Sequence, residues 1–241
     1  MARWTDGVLT GFDLETTGTD PETARIVSAA CVTVGAGRER EGRPWLVAVD
    51  VEIPEEASKV HGITTVRART DGRPLAEVLS QLAGSLGLAW GLGPVVAFNA
   101  SYDFTILTHE LDRAGLDGLA LGPILDPYVI DKQLDKWRKG SRKLGDMARH
   151  YHVRLEQEHD ALGDALTACR LAWALGTTFT WLGDEDPQKL HARQVDWASE
   201  QREGLERYFR KQDPKARVDR GWPITHACDA AGRVAAGNAR T

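Results

Sequence analysis

Phe12-Asp13-Leu14-Glu15-Thr16-Thr17-Gly18 is the stretch on which the reading of this chain turns. Its first four residues alternate apolar and acidic. On a strand, that period puts Asp13 and Glu15 on one face and Phe12 and Leu14 on the other. Apolar residues lead into it from Val8, so the carboxylates come at the end of a largely apolar strand. Taken alone, two such acids read equally well as a solvated strand end or as a site. The strand's apolar neighbours and its early, central position in the expected sheet weigh toward a site.

Outward from this stretch, residues 8–15, 26–34 and 45–53 are β-branched or aromatic runs separated by Gly, Pro and charge clusters, which predicts three strands in a meander. The middle of the chain alternates. Residues 75–88 have helical periodicity, 95–98 form a short apolar strand, and 102–114 form a helix ended by Gly115. A last strand is expected at 124–125, followed by helical stretches near 127–138 and 142–151. A strong helix then covers 161–175 and is expected to stop at Gly176. Gly183-Asp184-Glu185-Asp186-Pro187 reads as a boundary, giving a main domain over 1–183 and a basic, partly helical extension over 184–241. A meander followed by mixed strands and helices implies an α/β mixed sheet with helices on both faces.

Composition sets the broad class. The 241 residues are 42% hydrophobic and 27% charged, as in a soluble globular protein with ample core. No export signal is evident in residues 1–7, and no stretch approaches the apolar length of a bilayer span, so a cytoplasmic address is expected. Cys31, Cys169 and Cys228 are far apart and lack a CxxC spacing, which suits reduced thiols and argues against a cysteine zinc site. The net charge of −5 disfavours passive binding to a polyanion. Its distribution is uneven: residues 201–241 hold nine Lys/Arg and five Asp/Glu, a net +4 that leaves −9 on residues 1–200. The extension is therefore expected to help hold longer substrates and to be dispensable for chemistry.

Two further motifs carry acids. In Phe98-Asn99-Ala100-Ser101-Tyr102-Asp103, an apolar strand ends at Asn99 and Asp103 falls in the first turn of a helix. An acid there can simply complement the helix dipole, with Asn99 or Ser101 as N-cap. In His159-Asp160-Ala161-Leu162-Gly163-Asp164, the helix is apolar nearly all round and Asp164 stands among small residues. Gly163 costs about 1 kcal/mol against Ala inside a helix, which suits a close approach by another group. His159 falls on the preceding loop, with Asp160 as a candidate N-cap. Four gathered carboxylates would repel one another, and divalent cations relieve that repulsion. All-oxygen ligation selects Mg²⁺ or Mn²⁺ over zinc.

Asp13-x-Glu15, Asn99-xxx-Asp103 and His159-xxxx-Asp164 resemble the three motifs of the DEDDh 3′-5′ exonucleases, a family that includes the proofreading epsilon subunit of bacterial DNA polymerase III. The resemblance covers roughly 7–180 and takes in Val60-His61-Gly62-Ile63-Thr64, read as a loop, and Leu144-xx-Met147-Ala148-xx-Tyr151. It implies a ribonuclease H-like fold with a five-stranded mixed sheet. It also implies two Mg²⁺ or Mn²⁺ ions about 3.5–4 Å apart on Asp13, Glu15, Asp103 and Asp164, with His159 as general base. Thr16, His61, Ile63, Asn99 and Tyr102 are the implied contacts to the terminal nucleotide. Phe98 and Tyr102 depart from the family's usual His and Phe at those positions. The implied reaction releases nucleoside 5′-monophosphates from single-stranded or frayed DNA.

Two alternatives stay open: an exoribonuclease, and a replisome or polymerase-associated subunit with a mainly binding role. Lys132, Lys136, Trp137, Arg138, Lys139, Arg142 and Lys143 read equally as a phosphate track with base stacking and as a solvated helix face. In the extension, Trp197, Leu205, Tyr208 and Phe209 form a stripe that could meet a polymerase or replisome partner or pack on its own domain.

Overall fold

The run Val8–Thr16 (β1) is apolar enough to cross the middle of a sheet, and all nine of its residues are buried. The computed structural model describes residues 3–37, 40–156 and 159–225. Ile26–Gly35 (β2), Glu41–Leu46 (β3), Val95–Val96 (β4) and Ile124–Leu125 (β5) complete a sheet in the order β3-β2-β1-β4-β5. The first three strands are antiparallel, and β4 and β5 add in parallel on the other side of β1. This is the five-stranded mixed sheet expected from the sequence.

The third strand lies earlier than expected, at 41–46 instead of 45–53. Its pairing puts Leu46 opposite Ser28 and Glu41 opposite Thr33. Pro44 fits because an edge strand can spare an N–H. Beyond Leu46 the chain leaves the sheet, with an isolated bridge between Val47 and Arg73. Two short helices, Glu55–His61 (α1) and Thr65–Asp71 (α2), flank the stretch read as a loop, which keeps residues 62–64 outside both and gives Val60 and His61 to the end of α1.

Leu75–Leu92 (α3) and Ala100–Arg113 (α4) cover one face of the sheet. Phe12 and Leu14 pack there with Leu79, Leu82, Phe104 and Leu107. Each such side chain contributes about 1.5–3 kcal/mol on full burial. By length and a mean hydropathy of 1.2, Leu75–Leu92 could cross a membrane. That corrects the expectation that no stretch approaches such a length, although Val78, Leu79, Leu82 and Leu86 are spent on the core.

Pro127–Leu134 (α5) and Leu144–His150 (α6) lead to Ala161–Thr178 (α7), which lies across the other face with Leu9, Val96 and Leu125 in its core. This helix passes through Gly176 without stopping. A Cβ there would come within 2.6 Å of the Trp4 and Thr5 side chains, so this glycine admits packing and does not end the helix. After Thr180–Asp184 (α8), Asp186 caps Pro187–Phe209 (α9), which packs on α5 and β5. Gln194 of α9 is fully buried; its side chain accepts from Asp126 N at 2.7 Å and donates to Ile124 O at 2.9 Å. Cys31 and Cys169 are buried free thiols, and burial raises both, Cys31 to about 12. Cys228 lies outside the described residues.

Candidate active site

Gly11, Asp13 and Glu15 share one face of β1, and Gly11 sets what can lie over it. A Cβ at Gly11 would stand 2.2 Å from the Ala165 carbonyl oxygen and 3.0 Å from Cys169 Sγ. With glycine, α7 presses directly on the strand. Asp164, one residue before Ala165, is thereby brought to the acids that follow Gly11. Asp13, Glu15 and Asp164 each offer an oxygen within 4.8 Å of the others. Asp13 and Glu15 are buried, at 3% and 6% exposure. Sequence reasoning had placed the close approach at Gly163 and missed Gly11; the signal was a glycine inside an apolar strand.

Asp103 reaches the same strand from its edge. β4 pairs only as far as Gly11, so the β1 backbone beyond it is open to another partner. The Asp103 carboxylate takes that place: Oδ1 accepts from Leu14 N at 3.0 Å, and the residue is fully buried. The fourth acid is thus pinned to the backbone between Asp13 and Glu15, next to the cluster of three. Asn99 holds the N-cap position of α4 in a left-handed conformation (φ 58°, ψ 49°), without a side-chain capping bond. The capping group comes from β5–α5 instead: Asp126 Oδ1 accepts from Asn99 N and Oδ2 from Ala100 N, each at 2.9 Å. The sequence reading did not include Asp126.

The expected nucleotide contacts divide. The Thr16 and Tyr102 hydroxyls lie within hydrogen-bond distance of each other and of the Gly18 carbonyl oxygen, which Thr16 Oγ1 approaches to 2.9 Å. His61 ends α1 and is followed by left-handed Gly62. Its Nδ1 accepts from Ile63 N at 3.1 Å. Burial lowers the His61 pKa, against an opposing contribution from the Thr16 backbone, and the charge of His159 lowers it further. Ile63 is 8% exposed and belongs to the core on the α3–α4 side. His159 lies on the loop before α7 at φ 61°, and its backbone N–H donates to Asp164 Oδ2 at 3.3 Å. Asp160 caps α7 through Gly163 N at 3.1 Å.

The basic run also divides. Arg138 and Arg142 both donate to fully buried Asp131, at 2.9 and 2.6 Å, and Tyr151 adds a third bond at 2.7 Å. Those two guanidiniums are engaged inside the protein. Trp137 is 87% exposed with Lys136 near its ring, and Lys139 and Lys143 are exposed as well.

Three carboxylates this close repel by roughly 3 kcal/mol per pair at an effective dielectric of about 20. The donors are oxygen only, a set that fits hard divalent cations and suits neither a thiolate nor an imidazole zinc site.

No curated protein matches the sequence. The fold is similar to E. coli exonuclease I in complex with a dA16 oligonucleotide, at 17% identity and a TM-score of 0.62, covering 74% of this chain and 42% of that one. Exonuclease I from Methylocaldum szegediense is similar at 20% identity and a TM-score of 0.60, with coverage of 74% and 42%. An ExoI/SSB-Ct complex gives 16% identity and a TM-score of 0.63, with coverage of 74% and 43%. The chain thus spans less than half the length of these structures. The RNase T family model, described as Exonuclease, matches residues 10–172. All four acids and His159 lie inside that span, and the chain belongs to the exonuclease family.

Proposed function

We propose that the protein is a two-metal-ion 3′-5′ exonuclease of the DEDDh type, releasing nucleoside 5′-monophosphates from single-stranded or frayed DNA. The observation that carries this reading is the gathering of Asp13, Glu15 and Asp164 within 4.8 Å at the end of β1. Two Mg²⁺ or Mn²⁺ ions, held by these acids and Asp103, would offset phosphate charge and acidify the attacking water.

The side chains do the rest. His159 takes the proton of the water, and its backbone bond to Asp164 keeps the base beside the acids. Thr16 and Tyr102, hydroxyl to hydroxyl, meet the terminal 3′ hydroxyl, with His61 and Asn99 around the last nucleotide. Ile63, being buried, would support that pocket from behind.

In this reading residues 1–183 are the exonuclease unit and 184–241 an extension of it. Buried free thiols at Cys31 and Cys169 suit a cytoplasmic protein. A polymerase or replisome partner at the extension would have exposed Tyr208 to meet, and one similar structure is itself a complex with another protein. DNA is favoured over RNA because another similar structure holds a dA16 strand. The RNase T family model keeps an exoribonuclease as the second reading.

One assay tests both. Single-stranded DNA, duplex DNA and RNA with labelled 3′ ends are incubated with Mg²⁺, Mn²⁺ or EDTA. The expected result is metal-dependent release of labelled mononucleotide, fastest from single-stranded DNA. Faster release from RNA would favour the second reading, and cutting of a circular single strand would remove the exonuclease assignment.

A further inference from the structure

α4 is held from two opposite sides, and only one of them belongs to the sheet. Ser101 and Thr105 are one turn apart and share a helix face. Asp103, two residues from each, points about 200° away from both. On the Asp103 side the helix is fixed by Leu14 N.

On the Ser101 side it is fixed by the C-terminal segment. Arg202 of α9 donates Nη2 to Ser101 Oγ at 2.6 Å and Nη1 to the Gly221 carbonyl. Thr225 N donates to Thr105 Oγ1 at 2.8 Å, and the two hydroxyls lie 3.0 Å apart.

The turn entering α4 is held by the same segment through Asp126. Besides Asn99 N and Ala100 N, this fully buried carboxylate accepts from Tyr128 N at 2.9 Å and Trp222 Nε1 at 3.2 Å. Gln194 holds the backbone of Asp126 from α9.

We propose that residues 187–225 form a positioning strap for Asp103. Arg202 acts through Ser101, and Trp222 and Gln194 act through Asp126, to set where the turn from Asn99 to Asp103 meets β1. None of the three touches a reacting atom; each is a positioning residue. The physical case is that a metal ligand must be held to a fraction of an ångström, and a misplacement of about 1 Å can cost about 10²-fold in rate. It departs from the expectation, drawn from charge alone, that the extension is dispensable for chemistry. The proposal rests on the metal-dependent reading of the site.

The test uses the full chain with Arg202→Met, Ser101→Ala and the double variant. Three quantities are read: release of 3′ label, the Mn²⁺ concentration for half-activation, and the Mn²⁺-dependent rise in melting temperature. Arg202→Met is expected to lower kcat about 10- to 100-fold and to raise the half-activating Mn²⁺ concentration about tenfold. KM for a long strand should change less than about threefold. The double variant should be no worse than the poorer single one, because both substitutions break the same link.

Trp222→Phe keeps the ring and removes one donor to Asp126. It should shift the Mn²⁺ response in the same direction by a smaller factor, and it decides the matter if Arg202→Met does not fold. Wild-type Mn²⁺ responses in the folded variants, or additive effects in the double variant, would overturn the strap. A wild-type protein with no Mn²⁺-dependent melting shift and no 3′ release would instead overturn the reading of the site itself.

Discussion

Two sets of acids, all buried except the half-buried Asp164, lie within this fold and are treated in opposite ways. Asp126, Asp131 and Glu110 are each enclosed by the protein's own donors. Asp126 receives backbone N–H groups and the Trp222 indole. Asp131 receives two guanidiniums and a phenol. Glu110 receives Arg25 and Arg113. Asp13, Glu15 and Asp164 are instead gathered on one another, with Asp103 pinned beside them. The first set ties elements together; the second concentrates negative charge where a cation and a phosphate would meet. Burial alone therefore does not mark a functional acid. What marks these acids is that three of them bring oxygens within 4.8 Å of one another.

The largest expected effects come from the second set. Asp164→Ala should remove both metal response and activity. His159→Ala should keep near-normal Mn²⁺ affinity, read by the melting shift, while losing about 10²–10⁴ in rate. Retention of most of the wild-type rate in His159→Ala would assign the base to another group.

The first set should respond in stability. Asp131→Asn leaves Arg138 and Arg142 without their buried counter-charge, at a cost of about 3–5 kcal/mol. For a chain of this size that is a fall of roughly 6–20 °C in melting temperature, at about 2–4 °C per kcal/mol. The Mn²⁺-dependent rise should survive in the folded fraction. Losing that rise while keeping the melting temperature would erase the distinction between the two sets.

The smallest effect concerns pH and stability near the strap. His191 of α9 packs 5.0 Å from the Trp222 ring. Burial lowers its pKa, against an opposing contribution from the Ile124 backbone. The unfolded chain, with an ordinary histidine value of about 6.5, then binds more protons than the fold as pH falls through that value. Stability should therefore fall from pH 7 toward the lower folded value, by at most about 1.4 kcal/mol per pH unit for one group. Denaturant melts of the wild type and His191→Gln across pH 5–7.5 check this: the variant should show the shallower slope.

The legible parts of the molecule are those whose meaning is local. Asp13-x-Glu15 declares its face through strand alternation, and the pairs Asn99/Asp103 and His159/Asp164 declare themselves by spacing at helix starts. The long apolar runs likewise foretold the mixed sheet. What stayed hidden depends on contacts distant in sequence. Glu41–Leu46 carries charges and a proline that only an edge position explains. Gly11 and Gly176 are understood only once Ala165 and Trp4 are seen against them. The Arg202–Ser101 bond spans 101 residues, and no periodicity announces it. The basic run was ambiguous for the same reason: that Arg138 and Arg142 turn inward while Lys136 and Lys139 stay exposed is seen only once Asp131 is placed between the two arginines.

The most direct test of the contrast is the melting temperature of wild type and Asp13→Asn, each measured with EDTA and with saturating Mn²⁺. In the wild type, a ligand at about 100 times its Kd adds about 2.7 kcal/mol, which corresponds to a rise of roughly 5–10 °C. Asp13→Asn removes one charge from the cluster, so its metal-free melting temperature should equal or exceed that of the wild type, and most of the Mn²⁺-dependent rise should be gone. A metal-free melting temperature several degrees lower, with the Mn²⁺ rise intact, would show that Asp13 belongs with the structural acids and would contradict the account.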